Sequence, residues 1–159
     1  MRAGLIVLMT FALAGCSSSP PVDLATSLEV VDINSGWADF GVVGGQNKLV
    51  PSITFKLKNN SDQVLKVLQV NVTFRRMGDP TDWGADFRKI TGTEGLAPGA
   101  TSEPVSLDSP RGYTGSDARA DMLKHPQFVD ATAHIAAKYG PAQLQAIGDF
   151  PISRQLLTR

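Results

Sequence analysis

The chain has 159 residues, of which 42% are hydrophobic and 19% charged, and its 15 basic side chains balance its 15 acidic ones. That is the composition of one ordinary globular domain, long enough to bury a core, and it carries no basic field that would attract nucleic acid or anionic headgroups. One cysteine cannot form a disulfide within the chain, and two histidines without further cysteines make a poor zinc ligand set.

Arg2 is the only charge before Cys16. Between them, Leu5, Ile6, Val7, Leu8, Met9, Phe11, Ala12 and Leu13 form an apolar run broken by Thr10 alone. A basic start, a short apolar stretch and then small residues is the pattern of a secretory signal peptide. The run is too short to cross a bilayer, which takes about 20 apolar residues. The alternative, a buried helix, fits poorly with the absence of a polar face and with the Ser-Ser-Ser-Pro-Pro that follows.

Leu13-Ala14-Gly15-Cys16 resembles the lipobox of bacterial lipoproteins. The resemblance implies cleavage before Cys16, a diacylglyceryl thioether on its sulfur and acylation of the new amine. A protein anchored by two or more chains stays on the membrane, whereas one chain holds it marginally. Residue 17 is serine and not aspartate, which in enteric-type bacteria resembles the default for outer-membrane sorting, facing the periplasm. Removing residues 1–15 leaves 159 − 15 = 144 residues, with 14 basic against 15 acidic side chains once Arg2 is gone. Membrane contact is therefore expected through the lipid on Cys16 and not through charge.

Residues 16–27 are small, polar and proline-containing and read as a tether, so the folded domain is expected over 28–159. Residues 28–33 suggest a strand. Residues 34–48, with Gly36, Gly41, Gly44 and Gly45, suggest a loop or an irregular hairpin. From 50 to 58 the alternation is clean: Ile53, Phe55 and Leu57 face one way, Thr54, Lys56 and Lys58 the other. Asn59, Asn60, Ser61 and Asp62 supply turn chemistry. The chain returns with Leu68, Val70, Val72 and Phe74 inward, while Leu65 and Val67 are out of phase, which predicts a bulge or a covered outer face there. The segment 55–74, FKLKNNSDQVLKVLQVNVTF, resembles the paired B and C strands of small immunoglobulin-like domains of bacterial envelope proteins.

Residues 77–86 read as a long connection, 87–92 as a weak strand and 105–109 as a short one. A helix is expected over 116–125, capped by Ser116 and stopped by Pro126. Residues 128–140 alternate again, with Val129, Ala131, Ala133, Ile135, Ala137 and Tyr139 on one face and Asp130, Thr132, His134 and Lys138 on the other. After Gly140-Pro141 the chain returns through 142–157, with a bulge expected at Gly148. About seven short strands with one short helix and frequent turns predict an all-β, immunoglobulin-like sandwich.

Chemistry is sparse. There is no Gly-x-Ser-x-Gly and no His-Glu-x-x-His, and Asp130 lies about 13 Å along the strand from His134, too far to orient it as a base. No cofactor and no catalytic role are expected. His134 reads as a surface residue and His125 as a helix-end residue with a favourable dipole contact. Asp79, Asp82 and Asp86 share one segment and could hold calcium, but they read first as turn formers. GVVGGQNK, residues 41–48, lacks the Gly-Lys-Ser/Thr ending of a phosphate loop. Trp37 and Trp83 remain, each between glycine-containing segments. Each can tuck under its loop or serve as a contact to a partner protein of the envelope, since Trp anchors interfaces disproportionately. The expected function is a lipid-anchored interaction or assembly module. The alternative is a periplasmic carrier of a small apolar ligand, which needs a cavity between the sheets.

Overall fold

The computed structural model describes residues 20–158. Cys16 and the rest of the lipobox lie outside the described residues. The fold is an all-β sandwich with nine strands and two four-residue helices among those residues.

The alternating segments form the centre. β1 (Leu28–Val43) and β2 (Gln46–Asn59) make one antiparallel ladder along the length of the molecule. β3 (Gln69–Arg76) pairs with β4 (Asp82–Lys89) on one side and with β7 (Ala131–Lys138) on the other, and β7 pairs with β8 (Gln145–Pro151). β5 (Val105–Asp108) and β6 (Tyr113–Gly115) both pair with β2, and β9 (Leu156–Leu157) runs parallel to β1. The sheet orders are β5-β2-β1-β9 and β4-β3-β7-β8, with β6 beside β2. Strands one, two and five in one sheet, and three, four, seven and eight in the other, make the two layers of the sandwich.

Expected inward faces become the core. Ile53, Phe55 and Leu57 of β2, Val70, Val72 and Phe74 of β3, and Ala131, Ala133, Ile135 and Ala137 of β7 are all buried, with Tyr139 half-buried; Val129, read onto the same face, lies before β7 begins and is exposed. At about 25 cal/mol per Å² of apolar surface removed from water, these interdigitating rows are the main source of stability. Leu65 and Val67 mark the crossover between the sheets. Leu65 is fully buried and bridges Leu96, while Val67 takes a left-handed conformation at φ 53° and donates its N–H to the Gly92 carbonyl. That reversal of backbone hand accounts for the broken phase. The bulge expected near Gly148 is present, since the β7–β8 register skips Ile147 between the Ile135–Gly148 and Ala136–Ala146 pairs.

Residues 34–48 form an irregular hairpin, one of the two forms read from the sequence: 34–43 belongs to β1, the register slips between Asp39 and Val42, and the turn at Gly44-Gly45 has φ +59° and +79°, the left-handed pair that a tight two-residue hairpin takes. Other segments differ from the sequence reading. The connection after β3 is shorter than 77–86, because pairing resumes at Asp82 and places Trp83 in β4. The expected helix over 116–125 shrinks to α2 (Arg119–Met122), whose first flanking residue is Ala118 and not Ser116. β6 and β9, of three and two residues, bring about seven strands to nine.

Residues 20–27, read as tether, are packed onto the domain. Val22 is 7% exposed and Leu24 0%. Asp23 caps α1 (Leu24–Ser27), accepting from the Ala25 N–H. The Val22 N–H donates to the Tyr139 hydroxyl at 2.6 Å, and the Leu24 N–H to Gln145 Oε1 at 2.9 Å. A chain beginning at Leu28 should therefore unfold at lower denaturant than one beginning at Pro20. Losing Val22 and Leu24 from the core costs up to about 3 to 6 kcal/mol at about 1.5–3 for each side chain. Equal midpoints in urea would show that these two side chains contribute little.

Candidate functional site

Strand direction divides the molecule into two ends. β1 starts opposite Asn59 and finishes at the Val43–Gln46 pair, so the first end holds residues 20–28, 59–68 and 139–145. The opposite end holds the β1–β2 hairpin tip, the 77–81 turn and the chain from 110 to 130.

Just inside this second end lies a cluster of four aromatic rings. Trp37 sits edge-on to Phe128 at 4.6 Å between centroids, 5.6 Å from Tyr113 and 6.1 Å from Trp83. Tyr113 closes the group at 5.0 Å from Trp83 and 4.8 Å from Phe128. Tilted and edge-on pairs at these separations add about 0.5–1.5 kcal/mol each beyond their area burial. Two arginines cap the cluster: Arg76 stands over Trp83 at 5.7 Å and Arg154 over Phe128 at 5.0 Å. Arg154 also grips Asp130 with two nitrogens, at 2.8 and 2.9 Å, so its plane is fixed. The Tyr113 hydroxyl donates to the Val129 carbonyl at 3.2 Å and accepts from the Val129 N–H at 3.3 Å.

Both sequence-predicted tryptophans belong to this cluster. Trp37 is 0% exposed, so it offers no surface to a partner, and its indole N–H finds no acceptor among the described residues. Trp83 is half-buried, with its ring against Trp37 and Tyr113 and beneath Arg76, so most of it is engaged within the domain.

The hairpin beyond the cluster carries what the sequence reading missed. Phe40, Val42 and Val43 are 43%, 63% and 52% exposed. The register slips between Asp39 and Val42, and this irregularity hides the run from any simple alternation rule. The tip is buttressed. Arg119 of α2 forms an ion pair with Asp39, the Asn47 side chain donates to the Asp117 carbonyl, and Lys48 donates to the Pro110 carbonyl. Beside it lies a groove of about 350 Å³, lined by Gln46, Tyr113, Met122, His125 and Phe128 among others. Met77, in the neighbouring turn, is 62% exposed.

The remaining candidates are dispersed. Asp79 pairs with Arg76, Asp82 with Arg75 and Asp86 with Arg88, and among the described residues no acidic or histidine cluster of metal-binding size forms. His134 pairs across the ladder with Asp149 at 2.7 Å, while Asp130 is held by Arg154. The His125 ring accepts from the Gln127 N–H. The Arg119 guanidinium, then the Gly41 N–H, hold the Asp39 carboxyl below its ordinary pKa; for Asp79 it is the Thr81 N–H and then Arg76.

No family profile matches the chain, and no curated protein does. Among solved structures it is similar to the X-ray structure of Northeast Structural Genomics Consortium target SoR45, with a TM-score of 0.47 and 12% identity over 82% of this chain and 89% of that one. At that distance the likeness assigns no site.

Trp37→Ala should cost about 3 to 5 kcal/mol of unfolding free energy, the range for a buried large aromatic. Trp37→Phe should cost well under half of that, because a ring remains and the unpartnered donor is removed. Equal losses in urea titrations would mean that the indole body is not what fills the site. Carboxyls with lowered pKa stabilise the fold above their unfolded values and lose that contribution as pH falls through the folded ones. The Asp39 and Asp79 contributions should thus be intact at neutral pH and fade only in the acid range below about 4. A melting temperature that drops between pH 7 and 5 in the wild type, and equally in Asp39→Asn, would place the cause elsewhere.

Proposed function

We propose that this protein is a lipid-anchored component of a bacterial cell envelope, held on the periplasmic side of the outer membrane through Cys16, that acts by binding another envelope protein. The observation that carries the anchor is the sole cysteine at the end of Leu13-Ala14-Gly15-Cys16, behind a signal-like apolar run. The observation that supports binding is the apolar hairpin tip of Phe40, Val42 and Val43, which the fold holds out from a rigid aromatic base. Exposed apolar residues gathered at one end fit protein contact better than they fit isolated surface positions. Among the described residues no helix is long and apolar enough to cross a membrane.

The carrier alternative draws no support from the interior. The space between the sheets is occupied by Trp37, Phe55, Phe74, Leu107 and Ile135, all fully buried. The groove beside Tyr113 and Phe128 opens at the surface and is partly polar-lined, with Asp117, Ser116 and Gln127 on its walls.

Two measurements test the proposal. Cells given a fatty-acid probe should label the wild type and not Cys16→Ser, and equal labelling would remove the anchor. Val42→Asp with Val43→Asp should leave the melting temperature within a degree or two, because both side chains face solvent, yet should reduce recovery of the crosslinked partner from native membranes several-fold. Undiminished recovery would move the contact away from the tip.

A further inference from the structure

The docked segment 20–24 sets how far the domain can stand from its anchor. The Pro20 carbonyl accepts from Gln63 Nε2 at 3.0 Å, Val22 is buried beneath the Tyr139 hydroxyl, and Leu24 is wholly in the core. Three serines, Ser17, Ser18 and Ser19, are all that separate Cys16 from Pro20. Four residue steps span at most about 14 Å at 3.3–3.6 Å each. The tether read from sequence over 16–27 would have reached about 40 Å by the same rule.

A leash this short leaves the domain little choice of orientation. The end from which it emerges is built by the turns at 60–67 and 139–144, joined where the Gly140 N–H donates to the Lys66 carbonyl at 3.0 Å. Fully buried Asn59 stiffens it, donating to the Gln63 and Leu96 carbonyls and accepting from Ser61. Two large apolar side chains stand out on either side of the docked segment. Val64, next to Gln63, is 43% exposed, and Leu144, next to Gln145, is 50% exposed. Asp23 and Asp62 are exposed there beside Lys66, so the surface has no basic field that would draw it to anionic headgroups.

We propose that this end is a membrane-resting surface: with Cys16 acylated, the Pro20, Val64 and Leu144 pole lies against the lipid headgroups, and the hairpin tip points away from the bilayer. The proposal rests on the lipid-anchor reading and deepens it. The occupant is the bilayer carrying the Cys16 acyl chains, because no other surface is tied within about 14 Å of Pro20. Val64 and Leu144 contribute apolar contact at the headgroup boundary, and because no basic field draws this pole to the bilayer, added salt does not weaken that contact. β1 runs 16 residues from this pole to the tip, which places Val42 and Val43 up to about 50 Å farther out.

The test uses the full-length acylated protein in vesicles of phosphatidylethanolamine and phosphatidylglycerol. Leu144→Cys and Val42→Cys are each labelled with a fluorophore, which the acylated Cys16 cannot accept, and bilayers containing spin-labelled lipid quench it. Quenching should be several-fold stronger at position 144 than at 42, and unchanged between low and high salt. Inserting a long Gly-Ser segment between Ser19 and Pro20 should bring position 144 down towards the level of 42. Vesicle flotation, run alongside, separates the two ideas. Protein that floats but quenches equally at both positions overturns the resting surface while keeping the anchor. Protein that neither takes up a fatty-acid label nor floats overturns both.

Discussion

The ladder between β1 and β2 is the constraint on which the other parts depend. It runs from the Leu28–Asn59 pair to the Val43–Gln46 pair, so a single antiparallel ribbon touches both ends of the molecule. Every other element of the first sheet attaches to one of its two strands: β5 and β6 to β2, β9 to β1. The register also fixes which side chains face inward, because a one-residue slip would turn Ile53, Phe55 and Leu57 to solvent. Trp37 enters the core from β1 opposite Pro51 of β2, and the aromatic cluster grows from that position. A shift of this ladder would therefore disturb the docked 20–24 segment at one end and the hairpin tip at the other.

The two ends have different chemistry because the chain crosses them differently. At the first end, turns and the incoming segment are knitted by backbone and amide hydrogen bonds, with Asn59 saturated by its neighbours. Polar groups buried in this way must be paired, and a paired network specifies one arrangement. At the second end, rings and guanidinium planes do the packing, and the ion pairs lie at the surface. Exposed pairs of that kind contribute little individually. What they do is orient: Arg154 stands over Phe128 with its fork held by Asp130, and Arg119 faces the hairpin where it meets Asp39.

How much of this was legible depended on local regularity. Ile53, Phe55 and Leu57, and again Ala131 to Ala137, alternate without interruption and lie inward as read. Residues 34–43 could be read only as loop or irregular hairpin, because Gly36 and Gly41 suggest turns and the slip after Asp39 breaks the period. Gly36 is needed for another reason: a Cβ there would lie 2.9 Å from both the Gln155 carbonyl oxygen and Leu157. β4 was hidden by Asp82, Gly84 and Asp86, residues that favour turns but here occupy an edge strand with charge to spare. The anchoring of Val22 and Leu24 was not legible at all. Two apolar residues among serines and prolines have no periodicity, and their partners, Tyr139 and Gln145, are more than a hundred residues away. Trp37 and Trp83 were recognisable as a pair worth attention, but burial of the first depends on Tyr113 and Phe128, which come from a strand of three residues and a turn.

Preorganisation lowers the cost of binding, and the hairpin tip proposed as a contact is held in place by its neighbours. Exposed apolar loops that are mobile must lose conformational freedom when they bind, about 0.5–1.5 kcal/mol for each ordered side chain. Phe40 lies within 5.9 Å of the Lys48 ammonium, and Lys48 is itself tied to the Pro110 carbonyl. Asn47 is tied to Asp117 and Asp39 to Arg119, so three points of 110–119 grip both strands of the hairpin. That segment is in turn fixed by Tyr113, whose ring is locked between Trp83, Trp37 and Phe128. The apolar tip is thus the outermost member of a chain of contacts that begins at a fully buried indole. Rigidity built from the core outward gives Phe40, Val42 and Val43 a defined shape, which is what the proposed contact would ask of an irregular, glycine-containing stretch.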